Sequence, residues 1–466
     1  MIDIDWIKLV SSLRAILFNL LFLVYIFQLI VPIKQADIIL GACGLLAFLI
    51  SLPGLQNFYK IIIILFFSFS LIVMYVEGLF TWNAITYFSG MTNILVLLAY
   101  ASFFAIPVVQ GEYPKKIYDF FKGKVSSFQS IYSTYSIITF IICSVMSAPA
   151  IPTIQTTLSN FLKEMPSALV NKFQSMTFVR PFILTLLWSP VATLPIIAIY
   201  GTGAKPSILL PITFSLAIVL LVIDIITSSR KFKGIDEKWF FVEANDQSIS
   251  LKDKISLVLF LVSILLFIGL ILTLSYWLSY SILDAVVLMI IPYSFLWSLL
   301  LKRGKDFSNN FNNRLKTNVP KISAQVALFV GVSLFINVID HSDISGIINS
   351  NVQMLSQSFG PLILFIISFV AFIMSWTGII PQLVVVLVTQ TLNINVIDVS
   401  PEWLALAILG GALTGGASSP FTMNANIVAV TLQDSPMNVV KQNFGFAFLL
   451  FFITTLLAII LEITFG

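Results

Sequence analysis

The sequence predicts an all-α polytopic membrane protein, an inverted repeat with eleven transmembrane helices and two re-entrant hairpins. Of its 466 residues, 58% are hydrophobic and only 10% are charged, so no polar stretch is long enough to bury the core of a soluble domain. Eleven apolar stretches have the ~20 residues that cross a ~30 Å hydrocarbon core. Two further apolar regions are interrupted by proline and recur in the two halves of the chain.

The eleven predicted spans follow the apolar stretches in order. The first has no cleavage pattern behind it, so we interpret it as a retained signal anchor. The net charge of +4 reflects loop residues and topology, and no nucleic-acid binding is expected. The spans are 13–31, 37–53, 61–80, 91–110, 181–201, 206–227, 255–277, 280–301, 322–340, 402–431 and 440–463.

The stretch 402–431 is the least ordinary of these spans. Its apolar ends enclose glycine, serine, threonine and asparagine residues around Pro420. Unwound backbone at membrane depth is tolerated only where protein or a water-filled cavity satisfies its polar groups. Broken segments in corresponding halves of a chain are typical of a transporter's binding site. The span 181–201 completes such a pair, because its Ser189 precedes a proline as Ser419 does.

Other landmarks recur at nearly the same offset. Pro206 and Pro436 follow the two broken spans and differ by 436 − 206 = 230, which is also the separation of the two Ser-Pro pairs. Pro152 and Pro381 lie in the two interrupted regions and differ by 381 − 152 = 229. Internal symmetry of this kind indicates a transporter built from two repeats.

The interrupted regions 129–162 and 359–392 are too long for one straight helix. Two arms of about fifteen residues each fall short of the ~20 needed to cross, so we predict re-entrant hairpins, although two short full spans give the same charge distribution. If both regions are hairpins, Lys34 and Lys205 are the only lysine or arginine residues on the outer side of the membrane, as the positive-inside rule favours. The N-terminus is then cytoplasmic, the C-terminus outside, and the two repeats have opposite orientations across the cell membrane.

This topology divides the chain into four predicted segments. Residues 1–60 form N-terminal scaffold helices, and residues 61–228 form the first repeat. Residues 229–301 hold a linker loop and scaffold helices, which are compatible with a homodimer interface, and residues 302–466 form the second repeat. We therefore expect membrane lipid and a small-molecule substrate as partners.

The hairpin tips carry hydroxyl side chains. They read Ser-Ala-Pro from Ser147 and Ser-Trp-Thr from Ser375. Together with the layout of spans and hairpins, they resemble the divalent anion/sodium symporter family of the ion transporter superfamily. That resemblance implies tips that hold substrate carboxylates and broken spans that complete sodium sites. The family's Ser-Asn-Thr tips lack their asparagine here, so Asn424 and Asn426, or backbone N–H groups at the helix N-termini, are expected to receive the anion.

Hydroxyl and amide side chains at the tips and breaks are the candidate substrate- or ion-binding residues. Sodium ions in transporters are typically bound by hydroxyl oxygens and by carbonyls of unwound backbone, whereas small polar residues also serve close helix packing. Both interpretations stay open for each residue. The candidates are Ser147, Thr153, Ser189, Thr193, Ser375, Thr377, Ser418, Ser419, Thr422, Asn424 and Asn426.

Two acidic residues inside spans, Asp224 and Asp284, are candidates for proton coupling, since intramembrane ionisable residues are functional hypotheses by default. Each could instead reach the membrane surface near the end of its span. Arg180 precedes the first broken span, where snorkelling or attraction of substrate would explain it.

The sequence thus predicts a secondary transporter that moves a small organic anion, coupled to sodium or protons, by an elevator-like motion. A cation/proton antiporter or an oxyanion exporter of the same fold is the alternative, and a non-transporting partner subunit stays open. An enzyme is least favoured, because the chain has one histidine and no long polar loop for an acid, base or metal centre. No cofactor is expected except a sodium ion.

Overall fold

Every regular element that the computed structural model describes is a helix. A chain this apolar favours helices, because in lipid the backbone must satisfy its own hydrogen bonds. The structure describes residues 2–122, 128–147, 150–158, 166–232, 250–392 and 394–466. The helices are α1 Ile2–Ile30, α2 Ala36–Ser51, α3 Asn57–Val76, α4 Thr92–Tyr100, α5 Ala105–Gln110, α6 Tyr113–Lys122, α7 Phe128–Met146, α8 Ala150–Leu158, α9 Ser167–Trp188, α10 Leu194–Thr202, α11 Pro206–Ser229, α12 Leu251–Trp277, α13 Ile282–Leu300, α14 Gly304–Thr317, α15 Ser323–Asp340, α16 Ile344–Phe359, α17 Ile363–Trp376, α18 Pro381–Thr391, α19 Pro401–Ser418, α20 Met423–Leu432 and α21 Pro436–Phe465.

Ten helical segments of the described chain are long and apolar enough to cross a membrane, which makes this an all-α polytopic membrane protein. Eight of them coincide with predicted spans. The other two, Gln129–Met146 and Ile344–Trp376, contain the first arms of the two hairpins. The predicted span 37–53 is a shorter helix of 16 residues, and each of the two predicted broken spans is divided between two helices.

The chain folds into two compact units. The first unit comprises Met1–Ile106, Leu274–Ser358 and Thr389–Ile397. Its interior includes a cluster in which Tyr87 packs with residues of α3 and α15. The second unit comprises Pro107–Thr273, Phe359–Val388 and Asp398–Gly466.

The second unit contains the two predicted hairpins, α7 with α8 and α17 with α18 up to Val388, and both broken helices, α9 with α10 and α19 with α20. The first arm α7 has 19 residues, longer than expected. The return arm α18 has 11 residues, which at 1.5 Å per residue rise only about 17 Å against a ~30 Å core. This return arm is too short to cross the core as a straight helix, and re-entry of the hairpins stays a prediction.

Helix α19 is the most deeply enclosed element of the second unit, because every residue from Glu402 to Ser418 is buried. Its glycines allow the hairpin arm α17 to approach closely. A Cβ on Gly415 would lie 2.5 Å from Ser375 Cβ and 2.6 Å from the Phe372 carbonyl oxygen, so only glycine fits there. The small residues of 402–431 therefore serve close packing as well as the break.

Candidate functional site: two helix breaks and a buried ion pair

The first break interrupts the helical backbone directly after Trp188. Ser189 is extended, with φ −70° and ψ 125°, and a 3₁₀ turn, Pro190–Ala192, leads to α10. Proline has no N–H to continue the helix and disfavours helical backbone at the residue before it. Thr193 has a φ of 65°, which is unusual for a β-branched residue. The predicted break is therefore present, at the predicted serine.

The second break follows α19 in the same way. Ser419 is extended, with φ −105° and ψ 131°, and precedes Pro420. Thr422 is also extended, with φ −76° and ψ 150°, and α20 begins at the next residue. The two breaks thus occupy corresponding positions, 230 residues apart, as expected for two repeats of one motif.

Hydroxyl groups replace the helical hydrogen bonds that each break removes. Ser189 Oγ donates to the Ser144 carbonyl oxygen of the hairpin arm α7 at 2.5 Å. Ser419 Oγ accepts from the Phe421 N–H at 3.2 Å. Thr422 Oγ1 lies 3.0 Å from the carbonyl oxygens of both Gly416 and Ser419. All three side chains are buried. Buried backbone groups need hydrogen-bond partners, and these hydroxyls supply some of them at the two breaks.

The remaining candidates at the second break differ in position. Ser418 is buried, and its Oγ donates to the Thr414 carbonyl oxygen at 2.8 Å. Asn426 is exposed, and its Nδ2 donates to the Thr422 carbonyl oxygen at 2.8 Å. The Asn424 side chain lies outside the described residues. Ser418 thus has a helix-internal bond, and Asn426 caps unwound backbone.

At the hairpin tips, Ser147 follows α7 with a φ of 56°. Ser375 is fully buried, and its Oγ has no hydrogen-bond partner in the described part of the chain. Thr377 is exposed, and its Oγ1 donates to the Met374 carbonyl oxygen at 2.7 Å. The Thr153 side chain on α8 lies outside the described residues. Ser375, which packs against α19 near Gly416, is the tip residue best placed to accept a new partner.

Hydrogen bonds and packing bring some of these candidates together. Ser189 joins the first break to the first hairpin, and Ser375 packs on the helix that leads into the second break. Between the repeats, Gln155 Nε2 of α8 donates to the Thr431 carbonyl oxygen of α20 at 2.6 Å. Each hairpin therefore supports the broken helix of its own repeat, and α8 also contacts the other repeat.

A buried ion pair lies on the same broken helix as the first break. Arg180 Nη1 and Asp224 Oδ1 are 2.6 Å apart, and the two side chains are 5% and 1% exposed. Asp224 Oδ2 also accepts from Tyr132 Oη at 2.8 Å. Arg180 Nε donates to Asn443 Oδ1 at 3.0 Å. This polar network joins α7, α9, α11 and α21.

Of the two explanations of Arg180, the structure contradicts snorkelling, and attraction of substrate stays a prediction. Because α9 begins at Ser167, Arg180 lies inside this helix and not at the entrance of a span. It neither snorkels nor faces a loop, and Asp224 is buried inside the unit and not exposed at a membrane surface. Tyr132 and Asn443 were missed, although Asn443 is a lone amide on an otherwise apolar helix face, a pattern that signals a buried polar partner.

Asp284 has a different role in the first unit. It accepts a bond from Tyr25 Oη, and its Oδ2 accepts from Ser281 Oγ at 2.6 Å. Its backbone N–H is in turn capped by the Ser281 hydroxyl, as at many helix N-termini. Its described contacts therefore stabilise the start of α13.

Comparison with known structures identifies the fold to which these elements belong. The chain resembles the crystal structure of the Alcanivorax borkumensis YdaH transporter, which has an unusual topology. The TM-score is 0.58 at 12% sequence identity, and the match covers 84% of this chain and 89% of the YdaH chain. The chain shares the fold of that protein. At this identity the likeness concerns the fold alone.

No protein-family model and no curated protein sequence matches the chain.

Proposed function

We propose that this chain is a secondary active transporter that moves a small organic anion across the cytoplasmic membrane, coupled to sodium or protons. The observation that carries the proposal is the pair of helix breaks at Ser189 and Ser419, each supported by the hairpin of its own repeat. Discontinuous helices of this kind form the substrate and ion sites of membrane transporters. The fold shared with a transporter supports the proposal, and a transporter needs no catalytic centre.

The unwound segments offer the ligands that a coupling cation requires. At the second break, the buried Thr422 hydroxyl lies beside the carbonyl oxygens of Gly416 and Ser419, and the buried Ser419 hydroxyl bonds to the Phe421 N–H. At the first break, the buried Ser189 hydroxyl lies beside the Ser144 carbonyl oxygen of α7. Sodium in transporters is bound by unwound carbonyls and hydroxyls. The resemblance to the divalent anion/sodium symporters favours the same ion. The break residues are therefore the proposed cation ligands.

An anion would bind where new helices begin. Helix α10 starts at Leu194 and α20 at Met423, each directly after a break. The first N–H groups of a helix have no partner within it, and the helix dipole favours negative charge there. Asn424 and Asn426, on the first turn of α20, would add amide donors. A strained Thr193 next to α10 is consistent with a functional segment.

An elevator-like motion is part of the proposal. Both hairpins and both broken helices belong to the second unit, so the proposed site can move as part of one body while the first unit serves as scaffold. The cytoplasmic N-terminus, the outer C-terminus and a homodimer are predictions that belong with this mechanism.

A cation/proton antiporter is the second candidate, and an oxyanion exporter of the same fold is a further one. The antiporter is favoured by the position of Asp224, whose carboxylate binds Tyr132 of a hairpin arm and Arg180 of a broken helix. A proton on this carboxylate would weaken both contacts at once, since it removes the charge that holds the buried arginine. Proton binding and movement of the hairpin would then be linked.

Thermal unfolding of the purified protein in detergent tests the proposal, with sodium titrated against potassium at several pH values. A ligand that binds only the folded state stabilises it by RT ln(1 + [L]/Kd). Sodium-specific stabilisation that is lost in Ser419→Ala/Thr422→Ala, and kept in the matched control Thr464→Ala on an exposed helix end, would support a sodium site at the breaks. A pH-dependent shift that Asp224→Asn removes would support the antiporter. The absence of both the sodium response and the pH response would contradict the proposal.

A further inference from the structure

A long apolar cavity lies in the second unit beside the first helix break. Its volume is about 800 Å³, inside the range of roughly 300–1,000 Å³ that is usual for ligand pockets. Trp188 and Pro190, the two neighbours of Ser189, form part of its wall. The rest of the wall comes from α7, α11 and α12. We call this cavity the α11–α12 slot.

The shape of the slot follows the two helices that form its long sides. On α11 the lining residues extend from Pro206 to Leu221, which at 1.5 Å per residue is about 22 Å. On α12 they form one helical stripe from Leu261 to Leu272. Half of a ~30 Å hydrocarbon core is about 15 Å, so the slot is long enough for an extended hydrocarbon chain.

Protein atoms do not fill the space between these helices. Phe214 of α11 and Leu265 of α12 line the same cavity, yet they are 41% and 67% exposed. Protein interiors are packed as densely as organic crystals, so a gap of this size within one folded unit is not an ordinary packing defect. In a bilayer the molecules available to fill an apolar gap are lipid chains.

The chemistry of the wall selects the occupant. None of the described lining residues is charged, and the hydroxyls among them belong to Ser144 and Ser207. Ser144 Oγ already donates to the Ile141 carbonyl oxygen at 2.7 Å. A charged or strongly polar ligand would lose its hydration here with little compensation, because the described wall offers no charge and few donors, the unpartnered Trp188 Nε1 among them. The body of the occupant must therefore be apolar.

One end of the slot carries a positive charge. Lys205 is exposed and directly precedes Pro206, where the lining of α11 begins. Its backbone N–H donates to Glu402 Oε1 at 3.1 Å, and this bond holds the start of α11 in place. The ammonium group lies at the end of the exposed side chain. Basic residues at such positions attract anionic head groups.

We propose that the α11–α12 slot binds one acyl chain of an anionic membrane phospholipid, with the head group beside Lys205. The chain contacts Trp188 and Pro190 and so packs against the first helix break. This lipid is a structural ligand of the broken helix and is distinct from the transported anion. The proposal does not depend on transport, and its test does not measure transport.

Native mass spectrometry of the purified protein in mild detergent tests this site, with phosphatidylglycerol, phosphatidylcholine and palmitate as separate probes. Leu265→Trp fills the slot, and Leu266→Trp is the matched control, because Leu266 is 57% exposed on the same helix but is not among the lining residues. We expect one retained phosphatidylglycerol, about tenfold weaker retention in Leu265→Trp, and no change in Leu266→Trp. Lys205→Gln should reduce the preference for phosphatidylglycerol over phosphatidylcholine.

Equal retention by both tryptophan variants would overturn the proposal, because the bound lipid would then be bulk lipid around the protein. Binding of palmitate without phosphatidylglycerol would also overturn it, since the source would not be a phospholipid. A melting temperature for Leu265→Trp close to that of Leu266→Trp verifies that the variant folds, so that loss of lipid reports on the slot.

Discussion

The two repeats use different chemistry at corresponding helix contacts. In the first repeat, α9 meets α11 through the ion pair of Arg180 and Asp224. The positions 230 residues later, 180 + 230 = 410 and 224 + 230 = 454, are Gly410 and Thr454, where α19 meets α21 so closely that a Cβ on the glycine would overlap the threonine hydroxyl. One contact is an ion pair, and the other is a close contact without charge.

This difference suggests a division of labour between the repeats. A buried ion pair joins helices strongly only while both partners are present and hydrogen-bonded, so the contact of the first repeat can be switched by charge. A close helix contact through glycine depends only on shape, so the contact of the second repeat is insensitive to pH. We therefore expect charge-changing substitutions to affect the first repeat and volume-changing substitutions to affect the second.

Removal of one partner of the ion pair should have the largest effect. Arg180→Met leaves Asp224 as an uncompensated buried charge, and we expect a loss of about 3–5 kcal/mol in the free energy of unfolding. Chemical or thermal unfolding in detergent would measure it. Arg303→Met, which breaks an ion pair with Asp306 whose side chains are 57% and 49% exposed, should cost less than about 1 kcal/mol.

The double variant Arg180→Met/Asp224→Leu sharpens this test, because it removes both charges. It should recover part of the stability that Arg180→Met loses. Equal stability of Arg180→Met and Arg303→Met would contradict a buried pair.

Added volume in the second repeat should have the next largest effect. Gly410→Ala forces a methyl group against Thr454, and overpacking of this kind costs about 1–3 kcal/mol. Gly445→Ala is the matched control on α21, where nothing lies within 4 Å of the added Cβ, and it should be neutral or stabilise the helix by up to about 1 kcal/mol. Equal melting temperatures for the two variants would show that α19 and α21 are not in close contact.

The two break serines should respond unequally to truncation. Each serine Oγ accepts from an N–H within its own break, Val191 for Ser189 and Phe421 for Ser419. Ser189 Oγ also donates to the hairpin carbonyl of Ser144. Ser189→Ala should therefore cost about 1 kcal/mol and also increase hydrogen exchange in the hairpin arm α7. Ser419→Ala should leave exchange in the arm α17 unchanged. A rise in exchange in both arms would mean that the two breaks are equivalent.

The smallest effect concerns Asp434, which follows α20. Hydrogen bonds from Asn438, from the Ser435 N–H and from Asn171 of α9 hold the pKa of this carboxyl below its usual value, against a smaller opposing effect of burial. A lowered pKa stabilises the fold above the unfolded value of 3.8, and this stability is lost as the pH falls through the folded pKa. Asp434→Asn should thus melt slightly below wild type at pH 6, and the difference should be smaller at pH 3. A constant difference at both pH values would contradict the assignment.

The breaks could be predicted from the sequence because their cause is local. Ser-Pro at 189 and 419 removes a donor and excludes helical backbone before the proline, whatever the helix packs against. The offset of 230 residues, read from the sequence, also held for the start of α11 and α21. The membrane class followed in the same way from hydrophobicity.

The polar network could not be predicted, because its partners are distant in sequence. Arg180 and Asp224 are 44 residues apart, and Arg180 and Asn443 are 263 apart. The sequence interpretation began the first broken span at 181, which placed Arg180 outside the membrane, whereas α9 begins at Ser167. Periodicity locates helix faces but not which faces meet, so tertiary packing decides whether a lone charge is paired.

The most direct test of the account is a charge-movement measurement on proteoliposomes adsorbed to a solid-supported membrane. The central claim is that the second unit binds the coupling cation, either sodium at the unwound segments after Trp188 and Ser418 or a proton at Asp224. A sodium or proton concentration jump should produce a transient current in the wild type and in Thr464→Ala. The current should be absent in Ser419→Ala/Thr422→Ala if sodium is coupled, and in Asp224→Asn if protons are. The claim would be contradicted if neither a sodium jump nor a proton jump produced a current in the wild type. It would also be contradicted if the current persisted in both variants.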